Sequence, residues 1–166
     1  MIDNTILISG AIVFKKSRGK TFWFVSMNKV DDEEAWEIPK VMVKKTESSV
    51  RAAIRMTGEK GGMNNKVLEE VGRAGGSTTV GGKKVPQRYI YYLMVQISAG
   101  EILGFEKAEW LIYSKAVRKI SSKREQQMLR DAKKLLSSWR KENPDWIKEQ
   151  KKLYLESLEE EEKSKK

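Results

Sequence analysis

Apolar and polar positions change period several times along the chain. The run TILISGAIVFKK is β-rich and ends at the turn SRGK, and TFWFVSMN then sets Phe22, Phe24 and Ser26 against Trp23, Val25 and Met27. This period-two alternation predicts an early hairpin. The segment KVDDEEAWEIPK interrupts it with charge and a proline and reads as a loop. From Thr46 the period becomes helical, with Val50, Ala53, Ile54 and Thr57 recurring until Gly61-Gly62. A helix over 47–60 is expected, with Thr46 as its N-cap and Glu47 suited to the positive first turn.

The next forty residues read as strands joined by glycine turns. Gly81-Gly82 is the tightest candidate turn, and a long central strand over 88–98 puts Tyr89, Tyr91, Leu93, Val95 and Ile97 on one face. FEKAEWLIY suggests a further short strand, followed by a helix over SKAVRKI. A longer helix begins after SSKRE, with its apolar stripe on Met128, Ala132, Leu135, Leu136 and Trp139. In NPDW, Asn143 is expected to cap and Pro144 to open a last helix through Ile147, Tyr154 and Leu158, fraying at EEEEKSKK. There is no internal repeat of solenoid period. Helices interspersed with a mixed or largely antiparallel sheet imply a sandwiched α/β arrangement.

With 166 residues and 39% hydrophobic content, the chain has material for one core, read as a domain over 1–142 and an amphipathic, charged tail over 143–166. No apolar run reaches bilayer length, and Met1-Ile2-Asp3 brings no basic n-region. The expectation is a soluble, cytoplasmic protein with no membrane partner. The sequence has no histidine and no cysteine. That removes imidazole bases, thiolate nucleophiles, disulfides and tetrahedral zinc sites, and no haem is expected. Any metal would be a hard ion held by oxygens, magnesium or manganese first. The net charge is +10, and since residues 143–166 sum to −1, residues 1–142 carry +11. The basic excess thus sits in the domain and favours polyanionic company such as nucleotides, polyphosphates or RNA.

The order of elements, together with GAIVF, WEIPK, the E…R…E…GG helix and AEWLIYSKA, resembles the Nudix hydrolases, most closely the branch that cleaves dinucleoside polyphosphates. The resemblance runs from about Ile6 to Leu136. It implies an α/β/α sandwich with a mixed sheet, here followed by a C-terminal helical extension. The family's box is a glycine, five residues, a glutamate, seven residues, then Arg-Glu-apolar-x-Glu-Glu-x-Gly. Laid on this chain without gaps, Glu47, Arg55, Glu59 and Gly62 match, whereas Val41, Met56 and Lys60 stand where a glycine and two glutamates belong. Positions 56, 59 and 60 share one helix face. Three carboxylates there would hold magnesium against a diphosphate, neutralising charge and activating water. A thioether is a poor ligand for a hard cation, and Lys60 adds a repulsive charge.

The resemblance therefore implies Glu59, Glu47 and Arg55 as the catalytic set if hydrolysis survives, with Glu59 as a weak metal ligand and Glu106 or Glu109 as a distal acid. Lys40, Lys60, Trp36 and Arg88 are the candidate ligand contacts. Plainer roles stand beside these. Arg55 and Glu59 at i and i+4 suit a helix ion pair. Lys60 suits the negative end of a helix, and aromatics in strands mostly pack. GGSTTVGGKK lacks the lysine-serine ending of a phosphate loop and reads as a hairpin turn. Three functions remain open: a binder of a nucleotide, polyphosphate or RNA end with little or no hydrolysis; an active divergent pyrophosphohydrolase using weakly bound magnesium or manganese; and a structural subunit of a ribonucleoprotein or protein assembly.

Overall fold

The computed structural model of the chain describes residues 4–30 and 32–164. Met1 to Asp3, where the absence of a leader was read, lie outside the described residues, as do the side chains of Ile147 and Tyr154, expected on the tail's apolar face. Seven strands form one mixed sheet: β1 (Ile6–Ser17), β2 (Lys20–Val30), β3 (Glu33–Glu37), β4 (Lys40–Met42), β5 (Met63–Val80), β6 (Lys83–Ala99) and β7 (Lys107–Ile112). Among the described residues four helices accompany it: α1 (Ser49–Gly61), α2 (Tyr113–Lys119), α3 (Lys123–Glu142) and α4 (Trp146–Ser164).

Strand alternation explains the layers. One face of the sheet presents Ile12, Phe14, Trp23, Val25, Tyr91, Leu93 and Val95 to α2 and α3, which answer with Ala116, Met128, Leu129, Ala132 and Leu136. The opposite face presents Ala11, Val13, Phe24, Tyr92 and Met94 to Ala53 and Met56 of α1. Neighbouring residues thus point to opposite cores, as a period of two requires. Tyr91 and Leu93 fall on the first face together with Tyr89 and Ile97, as the sequence suggests.

Strand β1 organises the sheet. It runs parallel to β6 along Ile6 to Phe14, and on its other side it pairs antiparallel with β2 over Phe14 to Ser17 and with β4 over Ile8 to Gly10. Between those two partners β2 diverges to pair with β3 and β7. The segment Glu37 to Lys40 crosses the opening, where the Ala11 amide donates to the Pro39 carbonyl at 2.9 Å.

Several expectations change. KVDDEEAWEIPK is not a loop: residues 33–37 form β3 against 26–30 of β2, and the charge stays on exposed Glu33 and Glu34. Helix α1 begins at Ser49 with Ser48 as N-cap, its hydroxyl accepting from the Arg51 amide. Thr46 and Glu47 precede the helix in a turn, where the Glu47 amide donates to the Lys44 carbonyl. Gly75-Gly76 makes no turn, and β5 and β6 pair continuously to Gly81-Gly82, both at positive φ. Helix α3 starts at Lys123 after an Ser122 cap, which places Glu125 inside its first turn. Asn143 closes α3 instead of opening α4, since its backbone and side-chain amides both donate to the Trp139 carbonyl. Helix α4 continues to Ser164, past the expected fraying. Its start packs back on the domain through an edge-to-face contact of Trp146 with Trp139 at 5.2 Å and the Lys151 ammonium donating to the Lys16 carbonyl.

Candidate functional site

Two local devices shape the end of the sheet where β1 lets go of β2. The first is a clamp before α1. The Glu47 carboxylate accepts the Lys44 amide at 2.9 Å and holds the Arg55 guanidinium with both oxygens, at 2.7 and 3.1 Å. Arg55 also reaches the Met42 carbonyl at 3.4 Å, so the loop from Met42 to Glu47 is tied to the second turn of the helix. A two-toothed arginine–carboxylate pair is strong and directional. The Arg55 hydrogen bonds, followed by that of the Lys44 amide, hold the Glu47 carboxyl down at about 2.

The second device is a buried carboxylate. The Glu125 side chain is 2% exposed. It accepts the Ile38 amide at 3.1 Å, the Tyr91 hydroxyl at 2.7 Å and the Lys40 ammonium at 3.1 Å. Lys40 is further held by Glu37 at 2.6 Å and by the Ile38 carbonyl at 3.1 Å. Burial, reinforced by the Glu125 charge, pushes the Tyr91 phenol far above its ordinary range, so it stays a donor. This network pins the β3–β4 connection to α3, and a buried polar group satisfied on every side stiffens what it joins.

Beside the second device lies a cleft of about 160 Å³, lined by Ser26, Asn28, Glu37, Lys40, Lys60 and Glu106 together with Phe105 and Gly104. Lys60 enters from the last turn of α1, which stops at Gly62 in the left-handed conformation (φ 60°). The Gly104 amide donates to the Lys60 carbonyl at 2.9 Å, and a Cβ at position 104 would collide with the Lys60 backbone. The loop after β6 is therefore pressed against the end of the helix. The Lys60 ammonium lies 5.8 Å from the Phe105 ring centre and makes no ion pair among the described residues.

No protein-family model and no curated protein matches this chain by sequence. Solved structures do match by shape. An Ap4A hydrolase from C. elegans, in a binary complex, superposes with a TM-score of 0.60 at 17% identity, covering 80% of this chain and 98% of that one. A NUDIX hydrolase from Nitrosomonas europaea gives 0.60 at 15% identity, over 76% and 87% of the two chains. The NUDIX domain of Shewanella oneidensis NrtR, complexed with ADP ribose, gives 0.58 at 13% identity, over 80% and 88%. The chain has the Nudix fold.

Within the Nudix fold the expected site residues part company. Lys40, Lys60 and Glu106 meet in the cleft. Glu106 is half exposed and pairs with Lys29 at 3.1 Å. Glu47 and Arg55 are joined in the clamp, and Glu59 is 68% exposed, with Arg55 at 3.8 Å. Glu109 pairs with Lys119 and lines a groove with Leu111, Lys115 and Arg118, on the α2 side of the sheet. Trp36 lies under the Lys119 ammonium at 4.2 Å and packs on the α3-side core. Arg88 lines a separate cavity with Leu7, Arg73 and Tyr89. Glu37 and Glu125 went unread in the sequence, although WEIPK and SSKRE contain them; nothing in the spacing of Glu125 distinguishes it from a solvated helix carboxylate.

The donor set does not fit a hard divalent cation. Met56 is 1% exposed and faces the apolar core beneath α1. Lys60 puts a cation beside Glu59, and both oxygens of the Glu47 carboxylate are engaged by Arg55 and Lys44. Among the described residues no three histidine, cysteine, aspartate or glutamate side chains come close enough to hold a metal ion. What the cleft offers is the Lys60 ammonium, hydroxyl and amide donors and the Glu37 and Glu106 carboxylates, beside a wall stiffened by the Glu125 network.

Proposed function

We propose that the protein binds the phosphate groups of a nucleotide, a polyphosphate or an RNA end in the Lys40–Lys60 cleft, with little or no hydrolysis. The observation that carries this reading is the pair of replacements on α1. Met56 has joined the core, and Lys60 lines the cleft with an ammonium that no carboxylate neutralises among the described residues. A fixed ammonium attracts phosphate by charge alone. Phosphates would meet the Lys60 ammonium inside the cleft. The binding of ADP ribose by the NrtR domain and the naming of an Ap4A hydrolase among the structural neighbours support a nucleoside-phosphate ligand.

The test combines turnover and melting. Ap4A, ADP ribose and ATP are offered with magnesium and with manganese, and the melting temperature is followed in parallel. The expected result is no metal-dependent turnover, with a rise in melting temperature that Lys60→Ala abolishes. Turnover lost in Glu59→Gln would instead establish a hydrolase that works with a reduced carboxylate set. Absence of both turnover and a melting shift would move the fold to the role of scaffold in an assembly.

A further inference from the structure

Residues 113–142, spanning α2 and α3, contain ten basic and three acidic side chains, a balance of +7 within a chain whose total is +10. One of the three acids, Glu125, is buried and taken up by Ile38, Tyr91 and Lys40. The excess is also ordered. Lys123, Arg130, Lys134 and Lys141 follow one another at intervals of seven, four and seven residues, which at 3.6 residues per turn keeps all four within about 20° of one line along the helix. All four are exposed, and none is paired with a carboxylate among the described residues. The nearest acid, Asp131, stands about 80° around the helix, where its carboxylate accepts from the Gln127 amide at 2.9 Å. Lys133 broadens one flank by lying over the Tyr113 ring at 4.1 Å.

We infer that this stripe is a docking surface for the phosphodiester backbone of a nucleic acid, separate from the cleft. A row of four like charges on one line repels itself, and no carboxylate among the described residues pairs with it; an extended polyanion would relieve it. At 1.5 Å per residue the row is about 27 Å long, the length of about eight phosphates along one strand of a duplex. A compact anion would engage one or two of these cations, whereas a linear polymer engages them all. No aromatic side chain lies on the line, so the surface reads charge and not base identity. It also carries no apolar anchor: none of the large exposed apolar residues belongs to α3. A protein interface would need such an anchor, and so would an amphipathic helix lying in a membrane surface. The stripe points away from Glu125 and hence from the side of α3 that holds Lys40.

The test is fluorescence anisotropy with a labelled single-stranded RNA of about 20 nucleotides carrying a 5′-hydroxyl, and with a DNA duplex of equal length, at several salt concentrations between roughly 50 and 200 mM. The expected result is binding whose affinity falls steeply with salt. The quadruple variant Lys123→Gln, Arg130→Gln, Lys134→Gln, Lys141→Gln should weaken RNA binding about tenfold or more and make the log–log salt slope less negative by about 2.8, four contacts at 0.7 each. Lys84→Gln, at an exposed lysine of β6 outside both the stripe and the cleft, should leave the slope unchanged. Circular dichroism and melting verify folding, and if the quadruple variant unfolds, the pairs Lys123/Lys141 and Arg130/Lys134 should each remove about half the slope change. The inference is overturned if the variants bind RNA with the wild-type slope, or if polyglutamate or vesicles of anionic phospholipid bind the stripe as well as RNA does.

Discussion

Placing a glutamate on the buried face of α1, Met56→Glu, should destabilise the protein and create no metal site. Met56 is 1% exposed and packs within the cluster that includes Ala11, Val13, Ala53 and Met94. Losing a fully buried methionine forfeits about 1.5–3 kcal/mol of apolar burial. Enclosing a carboxyl without a partner adds about 1–3 kcal/mol even when it is neutral. The sum is about 4 kcal/mol, a large part of the roughly 5–15 kcal/mol that holds a domain folded. The sign with pH follows from desolvation. Burial would raise the new carboxyl's folded-state pKa above the ordinary value, so the group stays neutral in acid and is forced to ionise as pH rises. Urea unfolding should therefore show a larger loss at pH 8 than at pH 5.5, while Met56→Leu, which preserves volume, should cost less than about 1.5 kcal/mol at both. If Met56→Glu were as stable as the parent at pH 8, or if magnesium raised its melting temperature, the face would be open to solvent and the argument from packing would fail.

Glu47→Gln tests the clamp. The Glu47 carboxyl is depressed to about 2, so its stabilisation is complete above the unfolded-state value near 4.5 and is lost as pH falls through the folded value. The parent's melting temperature should drop through that acid window, and the variant should melt lower at pH 7 with a flatter profile below pH 4.5. Gly62→Ala forces a side chain into the left-handed region against the Glu101 carbonyl and should cost about 2 kcal/mol or more by thermal unfolding; a neutral result would show that the loop from Gly100 to Gly104 is not pressed onto α1. Glu125→Gln keeps the shape but removes the charge that Lys40, Tyr91 and Ile38 share, for a loss of about 2–3 kcal/mol in urea. A parent-like midpoint would count against the network.

The layers were legible because they depend on periodicity alone. Alternation in 22–27 and 89–97 assigns each side chain to one of two cores, and the structure keeps that assignment. The errors concentrate where side-chain hydrogen bonds compete with the local pattern. Thr46 and Ser48 both qualify as caps by residue type, and Ser48 takes the role because Glu47 is drawn back to Arg55 and Lys44. Strand β3 looked like a loop because its charge is exposed, and only its pairing with β2 makes it regular. The site divided along the same line. Glu47, Arg55 and Lys60 stand at positions of the family's box and Lys40 follows the proline of WEIPK, so the resemblance pointed to them, whereas Glu125 reaches Ile38 across 87 residues and has no such marker. Trp36 shares a neighbouring pocket with Lys40, Glu37 and Glu125, whereas Glu109 and Arg88 line separate grooves.

On the proposed reading the side chains at 56 and 60 of α1 differ in what they supply. A divalent ion at a phosphate site performs two tasks, neutralising charge on the anion and lowering the pKa of a bound water so that it attacks. An ammonium at Lys60 performs the first and not the second, because it carries no open coordination position. Its attraction also acts on the ground state, and binding that does not strengthen in the transition state lowers the dissociation constant without raising a rate. On the proposed reading Lys60 would thus supply affinity without turnover, and a carboxylate introduced at 56 would meet the packing penalty before it gained a ligand, so neither Met56→Glu nor Lys60→Glu by itself should bring metal-dependent hydrolysis.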